Sequence, residues 1–191
     1  SEVTLQPAAQ EEIDATVKVM GGEDWQLWIA AMQEAGVLAD GAKTVAYSYI
    51  GPELTRPMYR DGTIGRAKDH LEKTASRITG EMSALNGSAY VSINKAIVSK
   101  ASAVIPVVPL YMSTLFRVMK ERGVHEGAIE QMYRLFRDRL YTAVQPGSDA
   151  GVGHATPTDD EGRIRMDDYE MREDVQEQVA AVWPTISEEN I

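Results

Sequence analysis

The chain of 191 residues has no cysteine. That excludes a disulfide framework and thiol chemistry, and it is compatible with a reducing compartment. Histidine is nearly as scarce, at three residues. His70, His125 and His154 lie far apart, none with a second ligand at metal-binding spacing, so no metal is expected. No apolar run reaches membrane-spanning length, and the acidic opening residues carry no signal-peptide pattern, from which a cytoplasmic location is expected. Positive charge is thin as well: 19 Lys and Arg against 29 Asp and Glu leave a net charge of −10. With no basic run, nucleic acid is not an expected partner.

A further absence concerns nucleotide binding. No strand followed by a glycine-rich turn and a helix opens the chain; residues 1–38 read as helical, with Pro7 near a helix start and Trp25, Trp28, Ile29 and Met32 as an apolar stripe ending near Gly36. Gly147, Gly151 and Gly153 have the spacing of a phosphate loop, but they follow a helix and Pro146, with no strand to aim their amides. Asp159-Asp160-Glu161-Gly162 reads as a surface loop, because Pro157 stands where a calcium loop needs its first ligand and Asp168 where it needs glutamate.

What is present begins with Thr44-Val45-Ala46-Tyr47-Ser48-Tyr49-Ile50, a β-branched and aromatic run closed by Gly51-Pro52 and read as a strand with Tyr47 and Tyr49 on one face. A helix follows from Thr63, the predicted N-cap, with Ile64, Lys68, Leu71, Ala75 and Ile78 along one stripe. Four of those five positions are apolar. Lys68 must either carry its ammonium out along its stem or meet a partner such as a bound polar ligand. In a continuous helix Tyr59 and Lys68, nine positions apart, would face opposite ways. The Asp61-Gly62-Thr63 turn instead puts Tyr59 on a loop that is free to fold back toward Lys68.

After the helix, Asn86-Gly87 makes a turn and Ser88 to Asn94 reads as a second strand. Strand, helix and strand in this order predict a right-handed parallel crossover and an α/β fold. In such sheets ligands sit beyond the carboxyl ends of the strands, where Tyr49, the segment after Asn94, Tyr59 and Lys68 would share a crevice. Downstream, helices are expected over Val107 to Arg122, with Val108, Tyr111 or Met112, Leu115 and Val118 or Met119 on one face, and over about Glu126 to Tyr141, burying Ile129, Met132, Leu135, Phe136 and Leu140. Arg163 to Met166 alternates as a short strand or hairpin arm, and Arg172 to Val182 is an amphipathic helix stopped by Pro184.

These stretches carry a family resemblance. Met20 to Trp25, Lys43 to Glu53, Tyr59 to Gly65 with Lys68, Ile105 to Tyr111, His125 to Gly127 with Tyr133 to Phe136, and Arg165 to Met171 resemble the trans-2-enoyl-CoA reductase family. That family includes the FabV-type enoyl-acyl-carrier-protein reductases, enlarged relatives of the short-chain dehydrogenases. A tyrosine and a lysine separated by eight residues is its distinguishing spacing. The resemblance implies that Tyr59 is the catalytic proton donor, that Lys68 binds the nicotinamide cofactor, NADH by the family's leaning, and that Tyr49 contacts substrate. It also matches Ile97, Val98 and Ser99 to a cofactor segment in which the family usually shows threonine at the last position. The substrate implied is an enoyl-CoA or enoyl-ACP thioester. Helices after the second strand cover the substrate crevice in related enzymes, so the Tyr111 and Met112 face is either core or acyl contact.

The implied architecture is part of a Rossmann-like parallel sheet with an extensive helical substrate-side region. Residues 1–191 are expected to be the C-terminal catalytic portion of a larger single domain, without internal boundary, partnered by an N-terminal portion that supplies the glycine loop. Turnover by the chain alone is not expected. The alternative function is a non-catalytic, helix-rich interaction or dimerisation module that keeps the reductase scaffold, and the buried position of Lys68 discriminates against it.

Overall fold

The computed structural model describes residues 6–100, 102–105, 107–141 and 156–187. The glycine series 147–153 and His154 lie outside the described residues. Two helices, α1 (Gln10–Met20) and α2 (Glu23–Glu34), precede strand β1 (Lys43–Ser48). A 3₁₀ turn (Glu53–Met58), helix α3 (Thr63–Glu81) and strand β2 (Ser88–Ile93) follow, then α4 (Val108–Glu121), α5 (Ala128–Leu135), β3 (Ile164–Arg165) and α6 (Glu173–Val182).

Among the described residues the sheet has the order β1-β2-β3. Both pairings are parallel, Lys43 lying opposite Ser88 and Ser48 opposite Ile93, with Ile164 opposite Ser92. The strand–helix–strand unit is therefore formed as the sequence predicts, and the Arg163 to Met166 run joins as a third parallel strand rather than a hairpin arm. Alternation along β2 divides the core. Ala89, Val91 and Ile93 pack with Leu71, Ala75, Ile78 and Met82 of the α3 side and with Ile29, while Tyr90 packs with Leu135, Leu140, Ile164 and Met166. A third cluster joins α4 and α6 through Tyr111, Leu115, Val118, Val175 and Val179.

The N-terminal helical stretch breaks at Gly21-Gly22, because there it meets α3. A Cβ at Gly22 would lie 2.3 Å from the Thr74 side chain, and the Gly22 N–H donates to His70 Nδ1 at 3.0 Å. Within α2, Ile29 is buried and Trp25 is half-buried, its indole N–H donating to Thr44 Oγ1. Trp28, expected on the apolar stripe, instead stands 60% exposed. The N-cap of α3 is Gly62, and Thr63 is the first helical residue, with no side-chain cap.

The face of α5 is the larger correction. Ile129 and Phe136 are exposed, and the inner face carries Gln131, Arg134 and Leu135. Polar groups win there because that face meets the carboxyl ends of β2 and β3, where backbone groups need partners. Gln131 accepts from the Lys95 N–H at 2.8 Å. Arg134 donates to Glu126, to Asp168 and to the Met166 carbonyl, and its guanidinium lies over the Tyr169 ring. Beyond Leu135 the helix widens into a π turn over Phe136–Leu140. Among the described residues no helix is long and apolar enough to cross a membrane.

Candidate active site

A cavity of about 420 Å³ opens beyond the carboxyl ends of β1 and β2. One wall is Tyr47, Ser48, Tyr49, Tyr59 and Ile64; the other is Asn94 to Ile97, Ser99 and Ser102, with Val108 and Met112 of α4 behind. Its size suits a small-molecule site, and its lining is apolar with a few polar groups that converge on it.

Tyr59 is set in place by backbone. Its N–H closes the 3₁₀ turn onto the carbonyls of Thr55 and Arg56, and the following peptide crosses the first turn of α3 at Gly65. A Cβ there would lie 1.7 Å from the Arg60 carbonyl oxygen, so only glycine lets the loop carry Tyr59 over the helix. The Tyr59 ring meets Tyr49 edge-on, centroids 5.2 Å apart at 74°. Its hydroxyl has no hydrogen-bond partner among the described residues, and burial raises its pKa. At neutral pH Tyr59 is a protonated phenol with its donor free.

Lys68 is buried at 9% exposure on the α3 stripe. Among the described residues it makes no hydrogen bond or ion pair; desolvation lowers its pKa, and the charge of Glu72 opposes the shift in part. An ammonium so placed is costly until a polar ligand meets it. Ile64, one turn earlier, lines the cavity, but Lys68 does not. Of the segment after β2, Ile97 and Ser99 line the cavity, whereas Val98 does not and is 66% exposed. Ser99 and Ser102 close a local turn, the Ser99 N–H donating to Ser102 Oγ at 2.8 Å.

Two further residues shape the wall and were not singled out by sequence. Glu170 is fully buried. Its Oε1 accepts from the hydroxyls of Tyr49 at 2.9 Å and Tyr111 at 2.8 Å, and its Oε2 accepts from the Ala96 N–H at 2.8 Å. Burial pushes its pKa up to about 6, against the pull of those three donors. Lys95, 2% exposed, donates to the Ala96 carbonyl and lies 3.9 Å from the Phe116 ring centre. Desolvation lowers its pKa to about 8. Neither residue shows in a periodicity; the only sequence signal was that Glu170 falls inside a stretch that carries the resemblance. Tyr111, expected as core or acyl contact, is a core residue whose hydroxyl is held by Glu170.

Parallel strands joined by α3, with a cavity beyond their carboxyl ends, define an α/β protein of the Rossmann-like class. The comparisons with known proteins are specific. Residues 1–141 match the family model described as trans-2-enoyl-CoA reductase catalytic region, and residues 158–191 match one described as enoyl reductase FAD binding domain. The chain is 59% identical over 191 residues to an enoyl-[acyl-carrier-protein] reductase [NADH] of Cytophaga hutchinsonii, covering all of this chain and 46% of that protein. It is 55% identical over 190 residues to a trans-2-enoyl-CoA reductase [NADH] of Clostridium perfringens, again covering all of this chain and 46% of the relative. The solved trans-2-enoyl-CoA reductase of Treponema denticola in complex with NAD superposes with a TM-score of 0.87 at 51% identity, over 98% of this chain and 44% of that one. The chain belongs to the trans-2-enoyl-CoA reductase family, and it spans a little under half the length of the relatives it matches.

Proposed function

We propose that this chain supplies the catalytic wall of an NADH-dependent reductase of the C2–C3 double bond of trans-2-enoyl thioesters, acyl-CoA or acyl-ACP. The observation that carries the reading is a pair of unused donors: among the described residues neither the hydroxyl of Tyr59, which lines the cavity, nor the ammonium of Lys68, a residue buried on the α3 stripe, has a hydrogen-bond partner. A non-catalytic module has no need to keep that ammonium in an apolar stripe. Because the relatives are about twice as long, activity is assigned to the protein at that length, with the remaining portion as partner of this wall. A cytoplasmic location fits the reaction.

The donor set fits a nicotinamide dinucleotide. The Lys68 ammonium suits ribose hydroxyls, and Ile97 and Ser99 of the Ile97-Val98-Ser99 segment line the cavity, with the Ser99 hydroxyl held by Ser102. When bound, the reduced cofactor supplies hydride to C3 of the substrate. Electrons of the double bond then move toward the thioester oxygen, and Tyr59 donates a hydrogen bond to that oxygen as charge develops. Protonation at C2 completes the reduction, with the Tyr59 phenol as the proton source. A nearby ammonium eases the loss of that proton by favouring the phenolate, which gives Lys68 an electrostatic role beside cofactor binding. Tyr49 forms the face against which Tyr59 is held. FAD, named for the second matching model, does not fit the described part of that segment. Glu170 and Asp167 are taken up by partners within the chain, and none of the partnerless buried side-chain atoms lies in 158–187. No step is routed through a flavin.

Replacing Tyr59 by Phe in the enzyme at the length of its relatives should lower the rate of NADH oxidation with crotonyl-CoA by about 10²- to 10³-fold. NADH binding, followed by nicotinamide fluorescence, should be unchanged. An undiminished rate would remove Tyr59 from the mechanism, and a loss of NADH binding would make it a cofactor residue instead.

A further inference from the structure

Two phenols face each other across 5.2 Å at the cavity, yet they are in opposite hydrogen-bonding states. Among the described residues the Tyr59 hydroxyl has no partner. The Tyr49 hydroxyl lies 2.9 Å from Glu170 Oε1, and an ionised carboxylate can only accept. The Tyr49 hydrogen therefore points at Glu170, and what Tyr49 can offer a ligand is a lone pair. Glu170 is itself fixed from three elements: Tyr49 beyond β1, the Ala96 N–H beyond β2, and Tyr111 on α4. Gln176 of α6 adds a bond from its Nε2 to the Glu170 carbonyl at 2.7 Å.

We propose that Glu170 is a positioning residue that sets the direction of the Tyr49 hydroxyl hydrogen, so that of the two facing tyrosines only Tyr59 donates to the substrate oxygen. The inference rests on the reductase reading given above. Its chemical content is a polarity assignment. With the Tyr49 hydrogen engaged by Glu170, Tyr59 is the one of the two phenols whose donor is available where charge develops on the oxygen.

The isosteric variant Glu170→Gln reverses the polarity. The buried Ala96 N–H still needs an acceptor, so the new amide oxygen takes the Oε2 place and its NH₂ takes the Oε1 place. That NH₂ donates to the Tyr49 oxygen and turns the Tyr49 hydrogen toward the cavity. Single-turnover hydride transfer should then be compared in the enzyme at the length of its relatives for wild type, Tyr59→Phe, Tyr49→Phe, and Tyr59→Phe combined with Glu170→Gln. Tyr59→Phe is expected to lose about 10²- to 10³-fold, and Tyr49→Phe, which removes a contact but no donor to the substrate oxygen, about tenfold less than that. Adding Glu170→Gln to Tyr59→Phe should raise the rate about tenfold, Tyr49 acting as replacement donor.

A merely structural Glu170 predicts the opposite sign, a further fall. Equal losses for Tyr49→Phe and Tyr59→Phe, or a double variant no faster than Tyr59→Phe, overturn the polarity assignment and leave the reductase reading intact. An unchanged Tyr59→Phe defeats that reading itself. Where Glu170→Gln lowers the yield of folded protein, the Tyr49→Phe comparison decides alone.

Discussion

Replacing Lys68 by methionine should strengthen the fold and weaken cofactor binding together. The methionine side chain fills nearly the same volume along the α3 stripe, between Ile64 and Leu71, and removes an ammonium that has no hydrogen bond or ion pair among the described residues. Burying a polar group without a partner costs about 1–3 kcal/mol on mutational scales. Relief of that cost in a chain of this size corresponds to a rise in Tm of about 2–12 °C. The Glu72 charge offsets part of the penalty, which favours the lower end.

The pH dependence has a definite sign. Burial lowers the folded-state pKa of Lys68 below its ordinary 10.5, so between the two values the unfolded chain binds more protons and stability rises with pH. The advantage of the methionine variant should be full below the folded-state pKa and shrink as pH approaches 10.5. Thermal unfolding without ligand, from pH 7 to 10.5, reads both effects. NADH titration should show affinity weaker by about 10- to 100-fold, the worth of one hydrogen bond from a charged donor. A lower Tm for Lys68→Met at pH 7 would refute the reasoning, because the ammonium would then have a structural partner.

Two other substitutions probe the frame around the site. Gly65→Ala places a methyl where the Arg60 carbonyl oxygen lies 1.7 Å away; it should destabilise by about 1–3 kcal/mol and lower turnover by displacing Tyr59, as seen by chemical denaturation and steady-state rates. Arg134→Ala takes the guanidinium from Glu126 and from the Met166 carbonyl and leaves Asp168 with Arg139 alone. About 3 kcal/mol of stability should be lost, measured as a fall in the urea midpoint, and a loss below 1 kcal/mol would show the network to be dispensable. Turnover of crotonyl-CoA by the 191-residue chain alone should be undetectable by NADH absorbance.

Features written in local spacing were legible. The strand before Gly51-Pro52, the α3 stripe and the strand after Asn86-Gly87 all stand where periodicity puts them, since each element's own neighbours in sequence decide its face. The inner face of α5 was not legible, because Gln131 and Arg134 are buried by the backbone groups they serve on segments 32 to 36 residues away. Apolar periodicity pointed to Ile129 and Phe136 instead. The break at Gly21-Gly22 answers to Thr74 and His70, which no local reading connects to it. Within the site, Tyr59 and Lys68 drew attention through a turn and a misplaced charge. Glu170 gave no such sign, being one acid among many until three donors converge on it.

The wall of the cavity closes a long circuit of chain. β1, α3 and β2 can find one another over about 45 residues, Lys43 opposite Ser88, but the Tyr49–Glu170 bond joins positions 121 apart. The strand that brings Glu170 in has only two residues, anchored by the Met166 N–H on the Ile93 carbonyl and by Arg134 on the Met166 carbonyl. Closing so long a loop for so short a strand places its docking late in folding. The segment that closes this longest circuit is the one whose carboxylate holds the Tyr49 hydroxyl.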